Sequence, residues 1–91
     1  MVEYIVHYFK AQVVSRRIES EDRGFHVDAG TLEEALKKAH DQLWGIEERI
    51  GAGKIIAYAR LQAPDKCWHE IEGHCDDTYR LQIERLLEGN V

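Results

Sequence analysis

The segment from residue 30 to residue 53 limits the fold of this chain more than any other. Gly30-Thr31-Leu32-Glu33-Glu34 is a Thr-x-x-Glu capping box: the Thr31 hydroxyl accepts from the Glu34 amide, and the Glu34 carboxylate reaches back to the Thr31 amide. Behind it Leu32, Ala35, Leu36, Ala39, Leu43, Ile46 and Ile50 recur at three-to-four-residue spacing, a single apolar stripe along one helix face. Gly51 or Gly53 then supplies a residue able to take the left-handed conformation that ends a helix. Some nineteen residues at about 1.5 Å each span about 28 Å, enough to cross a four-stranded sheet diagonally.

The flanking segments supply the strands for that sheet. Residues 3–14 are rich in β-branched and aromatic types and hold no Gly or Pro, which predicts a long first strand. Neither of its faces is cleanly polar, because Ile5, Phe9, Ala11 and Val13 alternate with Tyr4, Val6, Tyr8 and Val14. A polar, charged loop is expected over Ser15–Gly24, then a strand over Phe25–Ala29. After the helix, Lys54–Gln62 predicts a strand with Ile55, Ala57, Ala59 and Leu61 toward the helix and Ile56, Tyr58 and Arg60 opposite. Ala63-Pro64-Asp65-Lys66 reads as a turn and Cys67–Glu72 as a returning strand. Asp76 or Asp77 caps a last helix with a Tyr79, Ile83, Leu86, Leu87 stripe that ends at Gly89. The expected fold is α+β: order ββαββα, an antiparallel sheet of about four strands, a long helix on one face and a short C-terminal helix.

At 91 residues, with no linker, repeat or low-complexity tract, residues 1–91 are expected to form a single domain. The hydrophobic content of 44% is globular, while 32% charged residues exceed the roughly 25% typical of such domains. No apolar run reaches the roughly 18 residues a spanning helix needs, and the opening residues lack the pattern of a signal peptide, so no membrane association and a cytoplasmic location are expected. Two cysteines do not make a disulfide framework. The net charge of −5 is uneven: residues 1–64 carry nine bases against ten acids, residues 65–91 three against seven. That balance argues against direct nucleic-acid binding, which normally needs a basic face, and suits a basic protein partner.

Cys67, His69, His74 and Cys75 place four potential zinc ligands within nine residues. His74 and Cys75 are neighbours and chelate one ion poorly, so a metal-binding or regulatory domain is the alternative reading, and no cofactor is expected. In the favoured reading Cys67 packs as a small hydrophobe, His69 lies near a sheet edge, and His74 and Cys75 occupy a turn. Cys67 and His69 project to one face but lack a third orienting residue and an oxyanion loop, so no catalysis is expected. His7, among apolar residues, reads as a hydrogen-bonded structural histidine. Gly51-Ala52-Gly53-Lys54 has the wrong flanks for a phosphate loop, and Glu33-Glu34 and Glu47-Glu48 are ordinary surface charge. Arg16 and Arg17, with Arg23 and Lys10, make the first hairpin loop locally basic and able to touch phosphates or an acidic partner.

Tyr4, Val6, Tyr8, Ile56, Tyr58 and Trp68 are expected on the sheet face opposite the long helix. The final helix, a homodimer contact or a foreign partner would cover that face, and Tyr4, Tyr8, Tyr58 and Trp68 are its candidate partner-binding residues.

Tyr4-Ile5-Val6, then Gly24-x-x-Val27-Asp28-Ala29-x-Thr31-Leu32-x-Glu34-Ala35, then Asp65-Lys66-x-Trp68 together resemble small phage and mobile-element proteins in which a sheet of hairpins carries one helix, including some type I-F anti-CRISPR inhibitors. The resemblance implies a non-enzymatic inhibitor that occupies a surface of a nucleoprotein complex, presenting acids to lysines and arginines that would hold nucleic acid. By that analogy Glu70, Glu72, Asp76, Asp77, Glu84 and Glu88 are the acidic contacts.

Overall fold

The structure, a computed structural model, describes residues 1–51 and 53–88, with the side chains of Asp76 and Tyr79 outside the description. It has the expected order: β1 (Val2–Val14), β2 (Arg17–Ala29), α1 (Leu32–Arg49), β3 (Lys54–Gln62), β4 (Trp68–Glu70) and α2 (Asp76–Glu88). The strands form one antiparallel sheet in the order β2-β1-β3-β4.

The charged loop expected over residues 15–24 is instead strand. Ser15 and Arg16 alone make the turn between Val14 and Arg17, both at positive φ (51° and 65°), the backbone that matches the right-handed twist of a two-residue hairpin. Charged residues do not break a strand whose outer edge and faces stay in water, so β2 runs on through Glu19, Glu21 and Asp22. Gly24 sits at a close approach, since a Cβ there would come 2.9 Å from the Val6 carbonyl oxygen.

Helix α1 starts as predicted, with the Glu34 amide donating to Thr31 Oγ1 at 3.2 Å. The return contact goes one residue earlier than in the ideal box: Glu34 Oε2 accepts from the Gly30 amide at 3.3 Å, and Lys38 pairs with the same carboxylate at 3.1 Å. Ala35, Ala39 and Leu43 are fully buried against the sheet, and Gly51 and Gly53 beyond the helix take positive φ.

Which sheet residues lie under α1 differs from expectation. Tyr4, Val6 and Tyr8 share the core with Val27, Ala29, Ile56, Ala59, Leu61 and the α1 stripe, so Tyr4 and Tyr8 are buried and unavailable to a partner. The cause on β3 is a bulge. Tyr8 pairs with Ala59 but Phe9 pairs with Ala57, leaving Tyr58 as an extra residue that reverses the alternation. Ile56 therefore joins Ala59 and Leu61 under α1, while Ala57 turns to the second face.

Helix α2 covers part of that second face. Ala57 and Ala11 point away from α1 and stand outside its core, yet are 0% and 1% exposed. Helix α2 packs on β3 and β1 and buries Leu86, so it is the cover for these alanines, whose small side chains allow close approach. Leu87 of the predicted stripe is exposed, Ile83 is half-buried, and the Tyr79 side chain and Gly89 lie outside the described residues. Strand β4 is shorter than expected because the chain leaves regular pairing after Glu70. Ile71 then donates to the Ala59 carbonyl and the Ala59 amide donates to the His74 carbonyl, which buries Ile71 in the main core.

Candidate functional site

The end of the second sheet face lying toward β4 remains open. The register places Ile5, His7 and Phe9 of β1 there, beside Tyr58 and Arg60 of β3, Trp68 of β4 and Asp22 of β2. Trp68 is held by its pairing with Gln62 and by the preceding turn. In that turn Ala63 donates to the Cys67 carbonyl (2.9 Å), the Cys67 amide donates to Asp65 Oδ1 (3.0 Å), and Lys66 takes φ 73°. The Arg60 guanidinium lies 4.2 Å from the Trp68 ring centre, and the His7 ring meets Trp68 edge-on at 5.4 Å. His7 Nδ1 lies 3.7 Å from Asp22 Oδ1, and the group surrounds a shallow cleft of about 190 Å³. Phe9 is 40% and Trp68 39% exposed, two large apolar rings left open around one cleft.

Two of the four aromatic residues expected to bind a partner, Tyr58 and Trp68, are on this face. His7, expected as a structural histidine, is an exposed member of it, and Phe9 was assigned to the helix side. The signal for both was the alternation in β1, where placing Val6 and Tyr8 inside forces His7 and Phe9 out. The proposed aromatic homodimer face does not exist as composed, since Tyr4 and Tyr8 lie beneath α1.

The acidic candidates divide. Glu70 is exposed opposite Arg60, and Glu70 and Glu72 also line a second cleft with Glu33, Leu36, Lys37 and His40. Asp77 is exposed on α2, as are Glu84 and Glu88, and the Asp76 side chain lies outside the described residues. Arg16 and Arg17 are exposed at the hairpin tip, beyond the last β1–β3 pair, Gln12 with Lys54, and do not join the open face.

The four cysteine and histidine residues of the alternative reading are not brought together. Cys67 is exposed in its turn, where the Asp65 carboxylate pushes its thiol pKa up, and so is not the packed hydrophobe expected. His69 pairs with Leu61. His74 and Cys75 occupy the turn before α2, as expected; there His74 is buried with Nε2 3.5 Å from Glu47 Oε1 of α1, and burial lowers its pKa against the pull of Glu47. Cys75 Sγ lies 3.5 Å from Thr78 Oγ1, a contact that lowers the Cys75 pKa. Among the described residues no three metal-ligating side chains converge, and no described helix is long and apolar enough to cross a membrane.

No protein-family model, curated protein or solved structure matches this chain.

Proposed function

We propose that this chain is a non-enzymatic protein-binding module that acts by occupying a partner's surface sterically and electrostatically. The observation that carries the reading is the open sheet face, where Phe9, Tyr58 and Trp68 stand together with Arg60 stacked on the indole. Tyr, Trp and Arg are the residue types that anchor interfaces when desolvated. Acids lie around them: Glu3 and Asp28 as a cross-strand pair and Asp22 opposite Phe9 on the same face, and Glu70 at the sheet edge, paired with Arg60 and also lining the cleft beside α1. An aromatic centre with an acidic rim favours a partner surface rich in lysine and arginine. The same rim opposes phosphate, so direct nucleic-acid contact is disfavoured.

Nucleoprotein complexes offer such basic surfaces where they hold nucleic acid. Together with the resemblance to phage and mobile-element inhibitors, this makes blockade of such a complex the specific reading, with the cytoplasm as its location. The test uses purified type I-F surveillance complex and measures target DNA binding with and without the protein. Loss of DNA binding with wild type, and recovery with Trp68→Ala or Glu70→Lys, supports blockade through this face. Unchanged DNA binding with wild type removes the anti-CRISPR reading. Inhibition that survives both variants removes the face as the site.

A further inference from the structure

We infer that two copies of this chain pair edge to edge through β2, antiparallel and centred on Glu21, into one continuous sheet. The two-residue turn makes Val14 and Arg17 a hydrogen-bonded pair, and such pairs alternate along an antiparallel ladder. Odd-numbered residues of β2 therefore direct their N–H and C=O groups to β1, and even-numbered residues direct theirs outward. Because β2 is the end strand, the outward groups of Ile18, Ser20, Asp22 and Gly24 meet no strand among the described residues. From Arg17 to Gly24 every residue is exposed except Ile18, which is half-buried.

A long edge strand of this kind is a template for pairing unless it is blunted by proline or repelling charge. β2 contains no proline, and its charges of both signs follow a self-matching order. Centred on Glu21, Glu19 faces Arg23 of the partner subunit, Arg23 faces the partner's Glu19, and Arg17 lies against the partner's Phe25. Ser20 and Ile18 exchange backbone hydrogen bonds with the partner's Asp22 and the partner's Gly24. The central Glu21 meets its own copy, but Arg23 holds its carboxylate at 2.8 Å and Lys10 stands opposite on β1. Moving the centre to Ser20 sets Glu19 against Glu21 and Arg17 against Arg23. Moving it to Asp22 keeps a match, Glu21 against the partner's Arg23, but brings two Asp22 carboxylates together with His7 at 3.7 Å in place of the Arg23 and Lys10 that flank Glu21. The cations beside the central acid thus favour the Glu21 register.

The two-fold axis of such a pair runs perpendicular to the sheet, so both open faces lie on one side and present two aromatic clusters to the same target. The inference stands whether or not the open face binds a protein.

Native mass spectrometry over a concentration series tests it. Wild type is expected at twice 10.6 kDa. Ser20→Pro removes an outward N–H that β1 does not use, and is expected to weaken the dimer by about tenfold or more. If that variant folds poorly, charge reversal is decisive: Glu19→Arg alone and Arg23→Glu alone are expected as monomers, and their equimolar mixture as a heterodimer. Wild type that stays monomeric up to about 1 mM overturns the inference. So does a dimer that survives Ser20→Pro and both charge variants, or a mixture that yields no heterodimer.

Discussion

At the scale of single residues, burial separates side chains that hold the fold from those free to do something else. Leu43 is fully enclosed, and Leu43→Ala is expected to cost about 2 to 5 kcal/mol in chemical denaturation, the transfer loss plus a cavity that α1 cannot close. Trp68 is half-open with one stacked partner, so Trp68→Ala should cost about 1 kcal/mol or less of stability. The same substitution should weaken partner binding by about 2 kcal/mol or more if the open face is the contact, which calorimetry with the captured partner reads directly. His74 adds a pH dependence. Burial lowers its pKa below the usual 6.5, with Glu47 opposing and His40 reinforcing the shift. The unfolded chain therefore takes up a proton at higher pH than the folded one, so the fold loses stability as pH falls below 6.5, down to the lower folded value. Denaturation midpoints at pH 7.5 and 5.5 should differ less in His74→Gln than in wild type. An equal difference in both proteins would place the acid sensitivity elsewhere.

At the scale of elements, two junctions set how the pieces meet. Thr31 satisfies the Glu34 amide at the start of α1, and Thr31→Ala should lower stability by about 1 kcal/mol, with the loss visible in helical circular dichroism near the midpoint. The β1–β2 turn carries two non-glycine residues at positive φ. Arg16→Gly relieves one of them and is expected to raise the unfolding midpoint by about 1 kcal/mol equivalent, with no change in sheet register. The β3 bulge acts over a longer range. By leaving Tyr58 unpaired it aims Ile56 at α1 and Ala57 at α2, so one strand serves two helices on opposite faces. Without it, Ile56 would leave the core and the alanine that admits α2 would lie under α1.

At the scale of the whole molecule, the core beneath α1 and the smaller contact beneath α2 divide the sheet into covered and open regions, and the open end of the second face holds the aromatic cluster. If the acidic rim contributes to capture of a basic surface, binding should weaken steeply as salt rises from about 50 to 500 mM, where the screening length falls to a few ångströms. A flat salt response in the same titration would assign the contact to the aromatic centre alone. Local pattern was enough to read the element order, the α1 start at Thr31 and the helical identity of 76–88, because capping, periodicity and turn chemistry act over a few residues. It misplaced Tyr4, Tyr8 and Ile56 because both faces of β1 and β3 are apolar, and two-sided strands carry no internal mark of which face meets the longer helix. The 15–24 segment carries no sequence mark of its strand, because its charges match those of solvent-exposed turn residues and an edge strand presents the same charges to water. Capping, periodicity and turn residues along the chain carry the ββαββα plan and the residue types available for recognition. Which of them stand together in the open is set by long-range contacts, since it depends on register, on one extra residue in β3 and on where α2 comes to rest.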